Sequence, residues 1–445
     1  MNRTALLERI DHEIELCREE LARDTIDLIG IKSVRGEPQP GAPFGPGPRA
    51  VLDAVLKMGQ KEGFHTVSHT DSIVSIGLSK GEPDLGIWIH GDVVPEGTGW
   101  NYDPYRAAEY NGYIIGRGAT DNKGQFCAMF HLLKIFKKLD IRLNYLPAIY
   151  VGSDEESGAN DIKDFLLSHQ PPELSLVPDA SFPVGYGGRG AMYLYLRAKK
   201  PLQGVTILAG QDEAPGRAVA MIGERTVETN SPPRHLSKPD PNGNMITRLM
   251  EKLLEDPEVS PVDHPVLEFF RRLSLDVKGA SFGLKANSEA VTLSIGAKRI
   301  DMEDNRPLLA LNIRNPIEIP ADEVFRRIGE EAEKHGVELV RTQVLADPYV
   351  LNPDWPVIKR LEEIAREITG DEKKPYIVGG YSYAHFLPNA LTFGTDANVI
   401  PGDFPEGHGG AHGMDESVSL DRLQRAMRIY SRALLALNEM EWKNG

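Results

Sequence analysis

Acidic and imidazole side chains follow short apolar runs or glycine-rich turns at five places in this 445-residue sequence. In chain order they are His90 with Asp92, Asp121, Glu155 with Glu156, Asp179, and His412. Together they supply the mixed nitrogen and oxygen ligands that zinc, manganese and cobalt accept in proteins. The set predicts a two-metal hydrolase site.

His90 directly follows the apolar segment 85–89, which we expect to be a strand. It would then lie at a carboxyl end, the edge at which open α/β sheets bind their ligands. Asp92 is well placed to hydrogen-bond the other imidazole nitrogen and to fix the tautomer, as metal-bound histidines usually require. The alternative interpretation is a strand-end histidine beside an aspartate in a turn.

Asp121 lies in the glycine-punctuated loop 116–124, which leads into an expected helix. A carboxylate can offer one oxygen to each of two metals, and a single aspartate in a constrained loop suits that bridging position. The alternative is an N-cap for the helix. A phosphate-binding loop is excluded because the Gly-Lys-Ser/Thr ending is missing.

Glu155 and Glu156 follow a predicted strand that ends at Gly152. Adjacent carboxylates can divide two tasks, since one binds metal while the other takes a proton from water. The alternative is a solvated acidic loop. Asp179, after the apolar segment 174–178, adds another acid at an expected strand end.

The segment 407–416 contains His408 and His412 among four glycines. A loop of this composition has little structural need for two imidazoles, so a ligand role is favoured for one of them. Spacing alone does not decide which histidine binds metal.

The elements that must position these groups alternate between helix and strand from about residue 50 to 185, which predicts an α/β arrangement. Expected strands are 73–77, 85–90 and 146–152, with an apolar helix beginning near Gly124. After residue 190 the pattern changes to that of a small α+β domain. From residue 352 the chain returns to the first domain with a helix, a glycine-rich loop at Gly379-Gly380 and a last helix.

Composition narrows the class of protein. The formal net charge of −15 disfavours nucleic acid and anionic membranes as partners. No stretch approaches the roughly 20 apolar residues of a membrane span, and the apolar residues between Leu6 and Leu21 recur at helical spacing rather than as a signal peptide. Cys17 and Cys127 fall in helical patterns, as core thiols of a reducing compartment do. We therefore expect a cytoplasmic protein.

Taken together, these residues resemble the M20 metallopeptidase family, and within it the cytoplasmic PepV-like dipeptidases. The matching stretches are 89–95, 113–124, 152–158, 178–183 and the loop that ends at Glu416. The resemblance implies a zinc-peptidase-like catalytic domain with a mixed sheet, formed by 1–187 and 347–445. It also implies an inserted α+β lid domain at 188–346.

By this resemblance, two divalent metal ions are bound, with zinc expected and manganese or cobalt as alternatives. His90 and Asp179 would bind one metal, Glu156 and His412 the other, and Asp121 would bridge them. Asp92 would orient His90, and Glu155 would be the general base. His412 is preferred to His408 because the family's ligand is followed shortly by an acidic residue, here within Asp415-Glu416.

The lid of the family contributes a histidine that stabilises the oxyanion, and His235 resembles it; the alternative is a surface histidine. Arg314 resembles the lid arginine that binds the substrate carboxylate, a task suited to a bidentate donor. An arginine paired to a surface acid is the alternative. Gly380 and His385 are expected beside the substrate.

Two departures from the dipeptidase pattern concern the substrate. Relatives often have an asparagine near the position of 211–215, and an arginine where this chain has His385. The sequence therefore predicts a metal-dependent hydrolase of dipeptides, either a monomer or a homodimer. Two alternatives stay open: an N-acyl-amino-acid deacylase, acting on acetyl or succinyl compounds, and a non-catalytic metal-binding protein.

Overall fold

The computed structural model describes residues 3–209, 217–230, 239–240, 244–286, 292–395, 404–405 and 407–442. Its α-helices are α1 (Arg3–Leu16), α2 (Arg18–Ile29), α3 (Pro46–Lys61), α4 (Gly124–Lys138), α5 (Asn160–Leu166), α6 (Met245–Glu255), α7 (His264–Leu275), α8 (Ala321–Lys334), α9 (Pro356–Thr369) and α10 (Leu420–Leu437). Short helical turns occupy Ala119–Lys123, Ala280–Phe282 and Tyr383–His385.

The strands of the first half of the chain are β1 (His65–Ser68), β2 (Ile73–Gly77), β3 (Leu85–His90), β4 (Ala108–Tyr110), β5 (Tyr113–Ile115), β6 (Pro147–Gly152), β7 (Leu174–Val177), β8 (Gly185–Gly188), β9 (Gly190–Ala198) and β10 (Val205–Ala209). Those of the second half are β11 (Arg217–Ile222), β12 (Arg225–Asn230), β13 (Ser294–Glu303), β14 (Arg306–Asn315), β15 (Val337–Ala346), β16 (Tyr349–Val350), β17 (Tyr376–Val378), β18 (Ala390–Thr392) and β19 (Ser417–Ser419).

The chain forms two compact units. The first comprises Met1–Gly187, Leu351–Val378 and Ser382–Gly445, and the second comprises Gly188–Val350 and Gly379–Tyr381. Each unit has a hydrophobic core of its own. The second unit therefore interrupts the first in the sequence.

The first unit is built on a mixed sheet with the strand order β1-β2-β6-β3-β7-β18-β8. Strands β6, β3, β7 and β18 are parallel to their neighbours in this set, whereas β1, β2 and β8 pair antiparallel. His90 is opposite Gly152, and Val177 is opposite Thr392. The carboxyl ends of four parallel strands thus share one edge, and the predicted α/β class is confirmed.

Helices bury this sheet, which explains why its central strands are continuous apolar runs. All six residues of β3 are buried, as are all six of β6. On α4 the inward face is Phe126, Met129, Phe130, Leu133 and Phe136, each at most 2% exposed. A rigid, dry layer therefore supports the strand ends.

The second unit is an antiparallel sheet with the order β12-β11-β10-β13-β14-β9-β15. Helices α6, α7 and α8 pack against it around a core that includes Leu249, Phe270 and Ile328. In β9 buried residues alternate with half-buried ones from Met192 onward, as expected for a sheet covered on one face.

The N-terminal segment differs from the single helix that its spacing predicts. The chain forms α1 and α2, with Cys17 between them at φ −81° and ψ −1°. Glu19 and Glu20 occupy the first turn of α2, where acidic side chains interact favourably with the helix dipole. Both helices still pack on the core of the first unit through Ile10, Ile14 and Leu21.

Within the described ranges, none of the helices combines the length and the apolar character that crossing a membrane requires.

Candidate metal centre

The candidate ligands stand just beyond the shared edge of the first unit's sheet. His90 is the last residue of β3, and Asp179 follows the end of β7 by two residues. Glu155 and Glu156 lie in the turn after β6. Parallel pairing thus gathers side chains that the sequence separates by many residues.

Asp121 lies between two imidazoles. Its Oδ1 is 2.9 Å from His90 Nε2, and its Oδ2 is 3.1 Å from His412 Nε2. The same His412 nitrogen is 3.0 Å from Glu156 Oε1. Each oxygen of this carboxylate therefore faces a different histidine, the arrangement that a bridging ligand requires.

Two overlapping groups of three have ligand atoms within 4.8 Å of one another: His90 with Asp121 and Glu156, and His90 with Glu155 and Asp179. His412 extends the first group through its contacts to Asp121 and Glu156. Imidazole nitrogens mixed with carboxylate oxygens form a donor set that suits zinc, manganese or cobalt. These residues fit the binding of divalent metal.

The carboxyl groups crowd one another in a buried space. Burial raises the pKa of Glu155 well above its usual value, and the negative charges of Asp179, Glu156 and Asp92 act in the same direction. Burial also raises the pKa of Asp179 to about 8, and the negative charge of Asp121 acts in the same direction. So many close acids are costly to keep ionised without a cation, as at a metal site.

The pKa of Asp121 shifts in the opposite direction from those of Glu155 and Asp179. Burial works to raise the pKa of Asp121, but hydrogen bonds to His412 and His90 outweigh it and hold that pKa well below its usual range. Burial likewise works to lower the pKa of His90, and its contact with Asp121 helps to raise that pKa well above the usual value. Asp121 is therefore the acid of this cluster that stays ionised most easily.

Asp92 contacts His90 differently from the expectation. His90 Nδ1 is 3.0 Å from the backbone oxygen of Asp92 and 3.6 Å from its carboxylate Oδ1. The carboxylate instead accepts the backbone N–H groups of Glu155 at 3.2 Å and Glu156 at 3.1 Å. The tautomer is therefore fixed by a main-chain carbonyl, which a sequence motif does not reveal.

A buried glutamate that sequence reasoning noted only as a neighbour of His412 holds the loop around Asp121. Glu416 Oε1 accepts the backbone N–H groups of Gly118, Thr120 and Asp121 at 3.1, 3.0 and 3.0 Å. Its Oε2 is 2.5 Å from Arg117 Nη1. In the sequence, Glu416 is marked only by its place in the adjacent acids Asp415-Glu416, which end the segment 407–416.

Arg117 connects this loop with the C-terminal one. Its Nη2 donates to the backbone oxygen of His412 at 3.2 Å, and its guanidinium lies 5.1 Å from the ring centroid of Trp100. His412 has φ 61°, a left-handed conformation that is uncommon outside glycine.

His408, the other histidine of this segment, contacts a different acid, since its Nδ1 is 2.7 Å from Asp415 Oδ2.

Asp161 is a further buried acid, and no motif in the sequence marks it. Its Oδ2 accepts the backbone N–H groups of Ser153 at 2.6 Å and Asp154 at 2.9 Å, and also the hydroxyl of Tyr383. Burial raises the pKa of Asp161 to about 7. Its position on α5 gives no hint of these contacts.

The expected substrate residues lie in different places. Arg314 is on β14 in the second unit, 7% exposed, with its guanidinium 5.6 Å from the ring centroid of Tyr381. Gly380 is also in that unit, and a Cβ added there would meet no atom within 4 Å. His385 is in the first unit, at the end of the turn that begins with Tyr383. His235 lies outside the described residues.

A family model for "Peptidase family M20/M25/M40" matches residues 86–436, which include all the candidate metal ligands. The chain belongs to this family. It is therefore a metal-dependent hydrolase, and the interpretation as a non-catalytic binding protein is not supported. The predicted family is confirmed.

Similarity to known proteins extends over nearly the whole chain. A Bacillus subtilis relative named "Putative dipeptidase YtjP" is 28% identical, covering 96% of this chain and 99% of its own. The structure of Dug1p, a di-peptidase of Saccharomyces cerevisiae, has a TM-score of 0.62 at 12% identity and covers 98% of this chain and 99% of its own. Human carnosine dipeptidase 1 gives 0.60 at 15% identity, with coverages of 98% and 100%. These two similarities show that this chain shares the fold of both structures.

Proposed function

We propose that this M20 enzyme cleaves dipeptides that have a free C-terminal carboxylate, using two divalent ions and Glu155 as general base. The observation that carries the proposal is the position of Glu155. This glutamate is 5% exposed and belongs to the same cluster as His90 and Asp179, directly beside the Glu156 that contacts His412. A hydrolase centre needs both a ligand set and a carboxylate for proton transfer.

His90, Asp121, Glu156, Asp179 and His412 would hold the ions, with zinc expected and manganese or cobalt as alternatives. When bound, such ions polarise a carbonyl and lower the pKa of water. Asp121 would contribute to holding both ions, because its two oxygens face different histidines.

Glu155 would accept a proton from the attacking water while the water oxygen bonds to the scissile carbonyl carbon. When the C–N bond breaks, the same carboxyl group would return that proton to the leaving amine. Burial and the neighbouring acids raise the pKa of Glu155, which favours the protonated form that the second step requires.

Residues 188–346 would act as the lid domain, and 1–187 with 347–445 as the catalytic domain. Arg314 would bind the substrate carboxylate through a bidentate guanidinium contact. His235 would donate a hydrogen bond to the developing oxyanion. Gly380 and His385 would lie against the substrate.

The names of several relatives, which describe dipeptidases, support dipeptides as the substrate class. One observation favours a second candidate, an N-acyl-amino-acid deacylase. By the family resemblance, His385 takes the place of an arginine that is frequent in dipeptidases, so its contact with the substrate would differ.

The deciding experiment measures amino-acid release from free dipeptides and from matched N-acetyl and N-succinyl amino acids. The enzyme is stripped of metal and reloaded with zinc, manganese or cobalt. Metal-dependent cleavage of dipeptides alone is the expected result. Preference for the acylated compounds would instead assign a deacylase.

The role of Glu155 is tested by Glu155→Gln, which preserves size and removes the base. We expect kcat to fall by about 10³-fold or more while metal content stays unchanged. Glu173→Gln, which changes an exposed glutamate before β7, is the matched control and should leave kcat unchanged. Wild-type turnover in Glu155→Gln would remove this residue from the mechanism.

A further inference from the structure

All four backbone N–H groups of the turn that carries Glu155 and Glu156 are bonded to acidic side chains. Each N–H group of residues 153–156 donates to a buried carboxylate: the first two to Asp161, at 2.6 and 2.9 Å, and the last two to Asp92, at 3.2 and 3.1 Å. Charge-assisted bonds to backbone amides are roughly twice as strong as neutral ones. Two acids therefore accept all four amides of this turn, and the side chains of Ser153 and Asp154 add bonds to Ser72 and to Arg35 and Asn160.

Asp92 belongs to the metal motif, whereas Asp161 comes from α5 and contacts none of the candidate ligand side chains in the described structure. Asp161 is completely buried. Its Oδ1 accepts the N–H of Ile162 at 2.7 Å, so Oδ2 alone serves the turn. The other donor to Oδ2 is the hydroxyl of Tyr383.

Tyr383 is 1% exposed, and its ring lies 6.3 Å from that of Trp88 on β3. Its hydroxyl also lies close to the backbone of Gly152, the last residue of β6. A Cβ added to Gly152 would collide with both the Tyr383 hydroxyl and Asp161 Oδ2. Glycine at this position thus lets the tyrosine and the aspartate meet directly beneath the start of the turn.

We propose that Asp161 and Tyr383 form a positioning pair that fixes the turn 153–156 and thereby aims Glu155 into the metal centre. The inference rests on the proposed role of Glu155 as general base. Neither residue of the pair touches the reacting atoms. Tyr383 orients the Asp161 carboxylate, and that carboxylate orients the two amides that precede the base.

The consequence for catalysis follows from geometry. Without the Tyr383 hydroxyl, Oδ2 of Asp161 loses one of three donors, and a buried carboxylate with fewer donors moves or takes up a proton. Either change loosens the bonds to Ser153 and Asp154. A displacement of about 1 Å at a reacting group costs on the order of 10²-fold in rate. None of the residues proposed to contact the substrate, Arg314, Gly380 and His385, lies in this turn.

The test compares Tyr383→Phe with Tyr430→Phe. Tyr430 is also completely buried in the first unit, and its hydroxyl donates to the backbone oxygen of Phe393 at 2.6 Å, on a part of the core that does not include the turn. Each variant removes one buried hydroxyl and leaves the ring. Tyr430→Phe therefore controls for the loss of a buried hydroxyl as such.

In metal-loaded enzyme, we expect Tyr383→Phe to lower kcat by about tenfold or more, with KM and metal content changed by less than about twofold. Tyr430→Phe should keep kcat near the wild-type value. A kcat for Tyr383→Phe equal to that of Tyr430→Phe would overturn the inference. If Tyr383→Phe does not fold, Asp161→Asn is measured in the same way, and Asp161→Asn should retain more turnover than Asp161→Ala because its amide oxygen still accepts the two N–H groups.

Glu155→Gln in the same assay separates the two hypotheses. Inactive Glu155→Gln together with fully active Tyr383→Phe would refute the positioning pair and leave the proposed base intact. Active Glu155→Gln would refute the base, and with it the route through which the pair acts. Tyr383→Phe added to Glu155→Gln should lower the remaining turnover by less than about twofold, as expected for residues that act as one unit.

Discussion

Glu416 accepts the backbone N–H of Asp121 at 3.0 Å, although the two residues are 295 positions apart in the chain. The same glutamate oxygen also accepts two other amides of that loop, and the second oxygen is paired with Arg117. An acid near the C-terminus therefore sets the orientation of the proposed bridging ligand. Loss of a hydrogen bond that orients a metal ligand usually lowers metal affinity by about 10- to 100-fold.

Replacement of Glu416 by glutamine should lower metal affinity without removing any proposed ligand. In Glu416→Gln an amide N–H group would face the N–H groups of Arg117, and two donors cannot bond to each other. The glutamine side chain would therefore move, and the loop that carries Asp121 would shift with it. We expect the affinity for the more weakly bound ion to fall by about 10- to 100-fold. Equilibrium titration of metal-stripped protein with zinc measures it.

The matched control is Asp415→Asn. Asp415 is equally buried, but it accepts the N–H groups of Asn101 and Tyr102 and contacts His408 rather than the loop of Asp121. This variant should affect zinc affinity by less than about threefold. An equal loss in both variants would show that any buried charge in the segment matters, and not the bonds of Glu416.

Asp121→Asn tests the bridge itself. The amide of asparagine has one acceptor oxygen, so it can ligate one ion but not two. We expect dialysed protein to keep about one ion instead of about two per chain, and turnover to be lost. Elemental analysis after dialysis measures the content. Asp164→Asn, an exposed acid on α5, is the control and should retain both ions; two ions in Asp121→Asn would exclude the bridging role.

Metal binding should release protons near neutral pH. Because burial raises the pKa of Asp179 to about 8, this acid is mainly protonated at pH 7, whereas a divalent ion requires its carboxylate. Affinity should therefore fall as the pH is lowered from about 8. Calorimetric titration with zinc in two buffers of different ionisation enthalpy should show release of at least about one proton. Asp179→Asn should release fewer, and heats that are equal in both buffers would contradict the prediction.

His69 should make stability depend on pH independently of the metals. Burial, with His169 nearby, lowers the pKa of His69 to about 4 from 6.5. The unfolded chain then binds a proton that the folded chain does not, so this contribution is complete above pH 6.5 and is lost as the pH falls towards 4. Because the side chain is partly exposed, we expect a loss of only about 1 kcal/mol.

Urea unfolding of metal-stripped His69→Phe and wild-type protein at pH 7.5 and 4.5 measures this contribution. Phenylalanine retains the stacking of the ring on Tyr150, whose centroid is 5.3 Å away, but does not titrate. The variant should lose less stability than the wild type between the two pH values. Equal losses would assign the pH dependence to other groups.

The sequence predicts the central elements of the first unit well, because completely buried parallel strands produce continuous apolar runs that end in polar residues. Predicted 73–77 and 85–90 coincide with β2 and β3. The groups that follow these runs were recognisable for the same reason. His90, Asp121, Glu155, Glu156, Asp179 and His412 all lie in one cluster of the structure.

The residues behind that cluster could not be predicted from pattern. Asp161 and Tyr383 are 222 positions apart, and neither lies in a recognisable motif. Asp92 was expected to use its carboxylate on His90, but that carboxylate instead accepts the amides of the turn after β6. Such contacts depend on three-dimensional packing between loops, for which local periodicity carries no information. Short edge strands such as β4 and β19 were missed because three residues show no period.

The place of His412 in the chain has a consequence for the order of synthesis. His90, Asp121 and Glu156 leave the ribosome long before the segment that brings His412 beside them, and α10, which packs against α4, follows later still. A nascent chain therefore has most of the donor set but not all of it. In a cell, the enzyme would become competent only after the segment that contains His412 and α10 has been synthesised.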